Sequence, residues 1–309
     1  MANPFAGRRV IILALLSLVA IGALAILFLN GRAQATRMPV MRQAHVVFSD
    51  LPPDARPLTL AVLSDIHIGN PATSAARLDK VVAAVKSAKP DAVVILGDFV
   101  NGDHAGDDMA RPDLLEEPLA RLSAPLGVFA TLGNHDHWTG QSAVRVALNR
   151  AGVTVLANNA ARIGPFVLAG IDDSASSHAN AGLTLEKARR IGGLPIVVTH
   201  SPGIEQWLPR PVPLLLHGHT HCGQILFRIG GMRFYPAELL IGRPYPKAMR
   251  CGFARRDGIL SLATAGIGTT GLSLRSGPPP DWWLLTLGPD PEGLNAPRQD
   301  PRNASAGAR

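Results

Sequence analysis

Cysteine, aromatic residues and charge are all scarce in this chain. Of its 309 residues two are cysteine, 5% are aromatic and 17% are charged. Two cysteines exclude a disulfide-dense scaffold, and no C-x-x-C pair offers a zinc knuckle. Cys222 and Cys251 would pair in an oxidising compartment or stand as small residues; the sequence leaves both readings open. No stretch interleaves aromatic and basic side chains, so base stacking has no platform and no nucleic-acid partner is expected, despite a formal net charge of +7. With 47% hydrophobic residues the chain can bury enough surface to offset its ordering entropy, which excludes disorder throughout. No long internal repeat is present, and the length allows one large domain or two small ones.

The longest uncharged stretch is Val10 to Leu29, 20 residues interrupted only by Ser17 and Gly22. At ~1.5 Å per residue this covers a hydrocarbon core of ~30 Å, and it lacks the polar stripe of a soluble helix. Residues 1–30 are therefore read as a transmembrane anchor or signal segment, with membrane contact through residues 10–29. The length favours an anchor; Ala33-Gln34-Ala35 leaves cleavage after Ala35 open. Arg8 and Arg9 face Arg32, Arg37 and Arg42 across the run, so the positive-inside rule does not orient it. Arg8-Arg9 lacks the neighbours of a twin-arginine export signal.

Charge elsewhere is uneven. Pro57 to Asp136 holds 11 acidic and 6 basic residues, whereas His137 to Gly288 holds 7 acidic and 15 basic. Within the basic part, Arg228, Arg233, Arg243, Lys247, Arg250, Arg255 and Arg256 stand against Glu238 alone. That segment is a solvated face or a surface for an anionic substrate or lipid headgroups.

Residues 31–56 read as a linker with a short strand near His45–Phe48, and 289–309 as a disordered tail. Between them, short apolar runs alternate with helix-like stretches. The runs are Leu58–Leu63, Ala92–Leu96, Gly127–Leu132, Phe166–Ile171, Leu194–Val198 and Val212–Leu216. The helix candidates are Ala75–Ala88, Asp113–Leu122, Ser142–Ala151 and Leu183–Ile191. The alternation argues for an α/β domain over 57–288 with largely buried strands. Gly230-Gly231 and Asp257-Gly258 signal two hairpins, and Trp282–Leu287 a closing strand.

Five of the six runs end in residues that bind metals. Asp65-Ile66-His67 follows the first, Gly97-Asp98 the second, Gly133-Asn134-His135-Asp136 the third, His200 the fifth and His217-Gly218-His219-Thr220-His221 the sixth. In an open α/β sheet, ligands bind at the carboxyl ends of the strands, so these groups converge on one crevice. Mixed imidazole and carboxylate donors suit Mn, Fe, Zn or Ni. Two divalent ions ~3.5–4 Å apart can clamp the attacking and leaving oxygens of a phosphoryl displacement.

The ordered set D-x-H, G-D, G-N-H-D, an isolated His and G-H-T-H resembles the calcineurin-like metallophosphoesterase family over Leu58 to Leu287. The resemblance implies a metallophosphatase fold, an α+β sandwich of two packed β-sheets flanked by helices. It implies that Asp65, His67 and His221 hold one metal ion, that Asn134, His200 and His219 hold a second, and that Asp98 bridges them. His135 would protonate the leaving oxygen or stabilise the transition state, with Asp136 orienting it. Water would attack phosphorus directly, without a covalent enzyme intermediate.

Gly266-Ile-Gly-Thr-Thr-Gly-Leu, Pro278-Pro-Pro and Gln224 resemble the bacterial branch with an N-terminal membrane segment. Its members are phosphodiesterases, and some relatives cleave the pyrophosphate of a UDP-diacylglucosamine lipid. The resemblance thus implies a lipid-linked phosphoester substrate and a bacterial inner-membrane location, with the domain periplasmic or extracytoplasmic and the cytoplasmic side left open. A phosphomonoesterase or nuclease of the same family is the alternative, and a non-catalytic membrane-bound binding module the reading from a different class. His137, His104 and Arg243 are candidate substrate contacts, and His217 reads as structural. Gly266-x-Gly268-x-x-Gly271 is not followed by the helix a dinucleotide site needs and reads as a loop at the site mouth. Cys222 stands where the family pattern favours Gly. Asn101 stands where purple acid phosphatases keep an iron-binding Tyr, so a coloured redox centre is not implied.

Overall fold

The apolar runs are continuous rather than alternating because each central strand is covered on both faces. The computed structural model describes residues 6–229, 232–236, 246, 249–289 and 298–299. Strand β2 (Leu58–Leu63) follows helix α1 (Ala6–Thr36) and strand β1 (Val40–Val47). Helix α2 (Ala75–Ser87), β3 (Ala92–Leu96), α3 (Asp113–Ala120), β4 (Val128–Thr131), α4 (Asn134–Arg150) and β5 (Thr154–Val155) come next. Then come β6 (Asn159–Ile163), β7 (Phe166–Gly170), α5 (Ala181–Ile191), β8 (Leu194–Val198) and β9 (Val212–His217). The hairpins β10 (Phe227–Ile229) with β11 (Met232–Phe234), and β12 (Gly252–Arg256) with β13 (Ile259–Ala263), precede β14 (Asp281–Gly288) and β15 (Arg298–Gln299).

Two mixed sheets result, of order β15-β1-β14-β2-β3-β4-β5 and β12-β13-β9-β8-β7-β6. Leu60, Val62, Val94 and Leu96 of the first sheet meet Phe166, Leu168, Ile196, Val198, Leu214 and Leu216 of the second in the inter-sheet core. The intervening residues face outward. Leu63, Val93 and Ile95 pack under α2, α3 and α4 through Leu78, Val81, Leu115 and Leu148. Val167, Val197 and Leu215 pack under α5 through Ala181 and Ala188. The chain has the two-sheet, helix-flanked architecture that its motifs imply, with one apolar N-terminal helix added.

Three boundaries differ from the sequence reading. The strand near His45–Phe48 is the longer β1, paired in parallel with β14, so the 31–56 stretch holds eight residues of sheet as well as the end of α1. Its Ala44, Val46 and Phe48 enter the inter-sheet core while the residues between them face away, a half-buried alternation diluted by polar residues. Helix α4 begins at Asn134 and breaks at Gly140 (φ 119°), so the predicted Ser142–Ala151 is only its second half. The tail expected over 289–309 lies outside the described residues, apart from Pro289 and β15, whose backbone pairs antiparallel with β1.

Helix α1 is long and apolar enough to cross a membrane, with mean hydropathy 3.1 in its most apolar window and none of that window buried. Its last turns behave differently. Gly31 and Ala35 are buried, and the Gly31 carbonyl accepts from the Arg275 backbone at 2.9 Å. The Arg77 guanidinium, on α2, donates to the carbonyls of Thr36 (3.2 Å), Arg37 (2.8 Å) and Ile267 (2.9 Å). Arg32 donates to the Pro71 carbonyl at 3.0 Å.

Candidate metal centre

The candidate ligands occupy turns immediately past the strand ends, where the backbone must reverse within one or two residues. Asp65, His67, Asp98, His219 and His221 all have positive φ, between 48° and 67°. A non-glycine residue in this left-handed region is disfavoured and persists only where surrounding structure enforces it, which is common at functional sites. The flanking glycines have a steric reason. A Cβ on Gly133 would lie 2.2 Å from Asp98 Oδ1, and one on Gly218 would lie 1.8 Å from Ser64 Oγ.

The turns bring seven side chains together. His67 Nε2 and His221 Nε2 stand 3.1 Å apart, with Asp65 Oδ1 at 3.9 and 3.3 Å from them. On the other side, His219 Nδ1 lies 2.9 Å from Asn134 Oδ1 and 3.2 Å from His200 Nε2. Asp98 Oδ2 sits between the groups, 3.4 Å from His67 Nε2 and 3.1 Å from His200 Nε2. Asp65, His67 and His200 are fully buried, and Asp98 and Asn134 nearly so.

Electrostatics suit cation binding. Burial lowers His67 to about 3, and burial together with the neighbouring His200 lowers His219 to about 4. Burial, with His67 next, holds His221 well below the usual imidazole range. These three rings are neutral, whereas Asp98 raises His200 well above the usual imidazole range against its burial. Burial alone would raise Asp98, but the nearby His200, His135 and His67 hold it well below the usual carboxylate range. Burial, opposed by His200, raises Asp65 to about 6. Buried carboxylates converging with neutral imidazole nitrogens, and with several side-chain contacts only between would-be ligands, form a donor set that divalent cations satisfy. Asp65-His67-His221 and Asp98-His200-His219 each place ligand atoms within 4.8 Å of one another.

His135 lies beside this group, its ring centre 4.9 Å from that of His67. Its Nδ1 is 2.5 Å from the Gly102 carbonyl, and its Nε2 is 3.2 Å from Thr270 Oγ1. Asp136 does not orient it. The Asp136 carboxylate turns back and accepts from the backbone N–H groups of Gly133 (2.8 Å), Phe99 (2.8 Å) and Val100 (3.2 Å). It thereby pins the α4 start to the turn after β3, because those buried donors have no strand partner there. An Asp103 oxygen lies 3.4 Å from His135 Nδ1, and the ligand atoms of His67, Asp98 and His135 lie within 4.8 Å of one another.

His137 was expected to meet substrate; its side chain is instead 2% exposed, 2.8 Å from Asp172 Oδ1. Its ring stacks on His178 at 3.8 Å. His104 is exposed on the loop after Gly102 and contacts the Ala105 carbonyl. His217 is fully buried behind the G-H-T-H turn, and burial lowers it to about 4. Arg243 lies outside the described residues. Cys222 and Cys251 form a disulfide that ties the G-H-T-H turn to the start of β12.

Sequence reasoning passed over the remaining strand end. Phe166–Ile171 leads into Asp172-Asp173, both buried, and Asp173 accepts a short hydrogen bond from Ser201, the neighbour of His200. An Asp-Asp pair after an apolar run was the available signal. The loop Gly266–Ser276 was also legible only as a mouth element. Ile267 N–H donates to the Ser64 carbonyl at 3.0 Å and Gly268 N–H to the Asp65 carbonyl at 2.7 Å, so the loop lies directly on the first ligand turn.

A sequence model of the calcineurin-like phosphoesterase family matches residues 58–223, which carry every one of these ligand turns. The chain belongs to this family. It is 32% identical over 237 residues to an uncharacterized metallophosphoesterase of Aquifex aeolicus, covering 72% of this chain and 82% of that protein. It is 29% identical over 269 residues to a zebrafish (Danio rerio) transmembrane protein with metallophosphoesterase domain, covering 81% of this chain and 58% of that protein. It is 31% identical over 194 residues to the phosphodiesterase YaeI of Escherichia coli, covering 60% of this chain and 68% of that protein. This calcineurin-like chain is a metal-dependent phosphoesterase whose clustered His and Asp groups can hold metal.

Proposed function

We propose that this metallophosphoesterase is a membrane-anchored phosphodiesterase that works with two divalent ions on a phosphodiester or pyrophosphate bond carried by a lipid. The observation that carries the two-ion reading is the position of Asp98 Oδ2, within 3.4 Å of imidazoles from both half-sets. Asp65, His67 and His221 would hold one ion, Asn134, His200 and His219 the other, and Asp98 both. Mn, Fe, Zn or Ni fits the donors. The ions would neutralise phosphate oxygens and acidify water.

The chain's own residues account for the rest. The Gly102 carbonyl holds His135 Nδ1 and leaves Nε2 at the mouth, where it donates a proton to the departing oxygen. Thr270 fixes that edge of the ring, and an Asp103 carboxylate oxygen stands 3.4 Å from Nδ1. His104, at the same rim, remains the candidate substrate contact.

Two features support an anchored, extracytoplasmic domain. The apolar part of α1 stands clear of the protein, and Ala35, after which cleavage was left open, is fully buried within the docked last turn. The Cys222–Cys251 disulfide fits an oxidising compartment. A relative is named a transmembrane protein and another a phosphodiesterase, in line with both halves of the reading.

The test is turnover by the full chain after exhaustive chelation and stepwise return of each metal. Hydrolysis of a phosphodiester should vanish with the metal and return at two ions per chain by elemental analysis. Undiminished activity in the chelated protein sinks the proposal. Comparing a lipid pyrophosphate with single-stranded DNA under varied salt separates it from a nuclease.

A further inference from the structure

We propose that the loop Gly266–Ser276, with the hairpin β10–β11 beside it, seats on the bilayer surface and holds the mouth of the metal centre at the depth of the lipid headgroups. The inference rests on the reading of α1 as a membrane anchor and adds where the catalytic mouth lies relative to the membrane.

The apolar stretch of α1 ends at Leu29, and the Gly31 carbonyl is hydrogen-bonded to the Arg275 backbone. Two residues of helix advance the chain by about 3 Å. Arg275 therefore lies within the interfacial layer of about 5–7 Å that borders the hydrocarbon. No residue of the most apolar window of α1 is buried, so the helix enters the bilayer directly from this point whatever its tilt.

Three exposed apolar side chains lie around the exit. Leu272, three residues before Arg275, is 65% exposed, the same as Leu29 inside the span. Leu226 N–H donates to the Ser276 carbonyl at 2.8 Å, which places the hairpin against the loop. Its Phe227 and Phe234 are cross-strand partners, 46% and 36% exposed. Single exposed apolar residues are ordinary on protein surfaces; these adjoin the one place where the chain leaves for the membrane.

The same loop is part of the site. It hydrogen-bonds the Ser64 and Asp65 carbonyls, and Thr270, two residues before Leu272, touches His135. Its geometry is locked by Arg275, whose buried guanidinium donates to the carbonyls of Ala265 (3.0 Å), Gly268 (2.7 Å) and His221 (3.2 Å). Arg77 joins the helix end to Ile267. Helix exit and catalytic mouth thus form one rigid unit, and a phosphoester at headgroup level reaches the ions without its lipid leaving the bilayer.

The test uses the full chain in phosphatidylethanolamine–phosphatidylglycerol vesicles, with an environment-sensitive fluorophore on Leu272→Cys, Ile21→Cys or Arg189→Cys and nitroxide lipids as quenchers. Arg189 is exposed near the end of α5, toward the amino ends of the strands and away from the site. Headgroup nitroxide should quench Leu272→Cys strongly and Arg189→Cys weakly, and deep acyl-chain nitroxide should quench Ile21→Cys. If Ile21→Cys is quenched and Leu272→Cys responds no more than Arg189→Cys, the seat is overturned while the anchor stands. If Ile21→Cys is not quenched, both readings fall together.

Discussion

The two sheets contribute unlike chemistry to one crevice. The first supplies Asp65, His67, Asp98 and Asn134 from the ends of β2, β3 and β4, and with them both ligand carboxylates. The second supplies His200, His219 and His221 from β8 and β9, imidazoles only. The difference follows the charge of the chain, acidic over Pro57–Asp136 and basic over His137–Gly288. The support differs too. The first sheet's turns are laced to one another by backbone donors to Asp136 and Asp98, whereas the second sheet's imidazoles lean on a carbonyl, two carboxylates and each other. The first sheet thus supplies the carboxylates, and the second supplies imidazoles alone: His219 and His221 are lowered by burial, and His200 is raised by Asp98 against its burial.

That contrast predicts unequal penalties. Asp98→Asn removes the one charge shared by both half-sets; turnover should fall by at least about 10³-fold, and both ions should be lost on dialysis. His200→Ala should cost chiefly one ion. Elemental analysis of the two variants side by side decides it, and equal metal loss would erase the distinction between the sheets. His135→Ala, a residue of the first sheet outside the ligand set, should lower turnover by about 10²–10³-fold with metal content unchanged. Loss of metal in that variant would make it a ligand instead. The smallest effect is expected behind the second sheet. Asp173→Asn should weaken binding of one ion about 10-fold to 100-fold, read by competition with a chelating dye, with little change in saturated turnover.

Much of the centre was legible because each ligand follows an apolar run, and a strand's carboxyl end is where such a sheet binds. Asp65, Asp98, His200 and His221 needed no tertiary information to be singled out. Asp136 shows the limit. An acid after a histidine looks the same whether it faces the ring or, as here, turns onto three backbone N–H groups of a neighbouring turn. Strand β1 was shortened because Arg42, Gln43 and His45 interrupt its apolar pattern, although Arg42 is itself buried against Asp281 at 2.6 Å. Nothing in the sequence singles out Arg77 or Arg275, whose guanidinium groups bond Thr36, 41 positions away, and His221, 54 positions away.

The docked last turn of α1 also bears on how the protein can be handled. Trimming the chain at the start of β1, a natural choice for a soluble form, would strip Gly31–Arg37 from the fold. Carbonyls that Arg77 and the Arg275 backbone bind would go with it, and the surface against which Ala35 is buried would be opened. A cut just before Gly31 discards the greasy span and keeps those contacts. For this protein the boundary between apolar span and enzyme falls inside a single continuous helix.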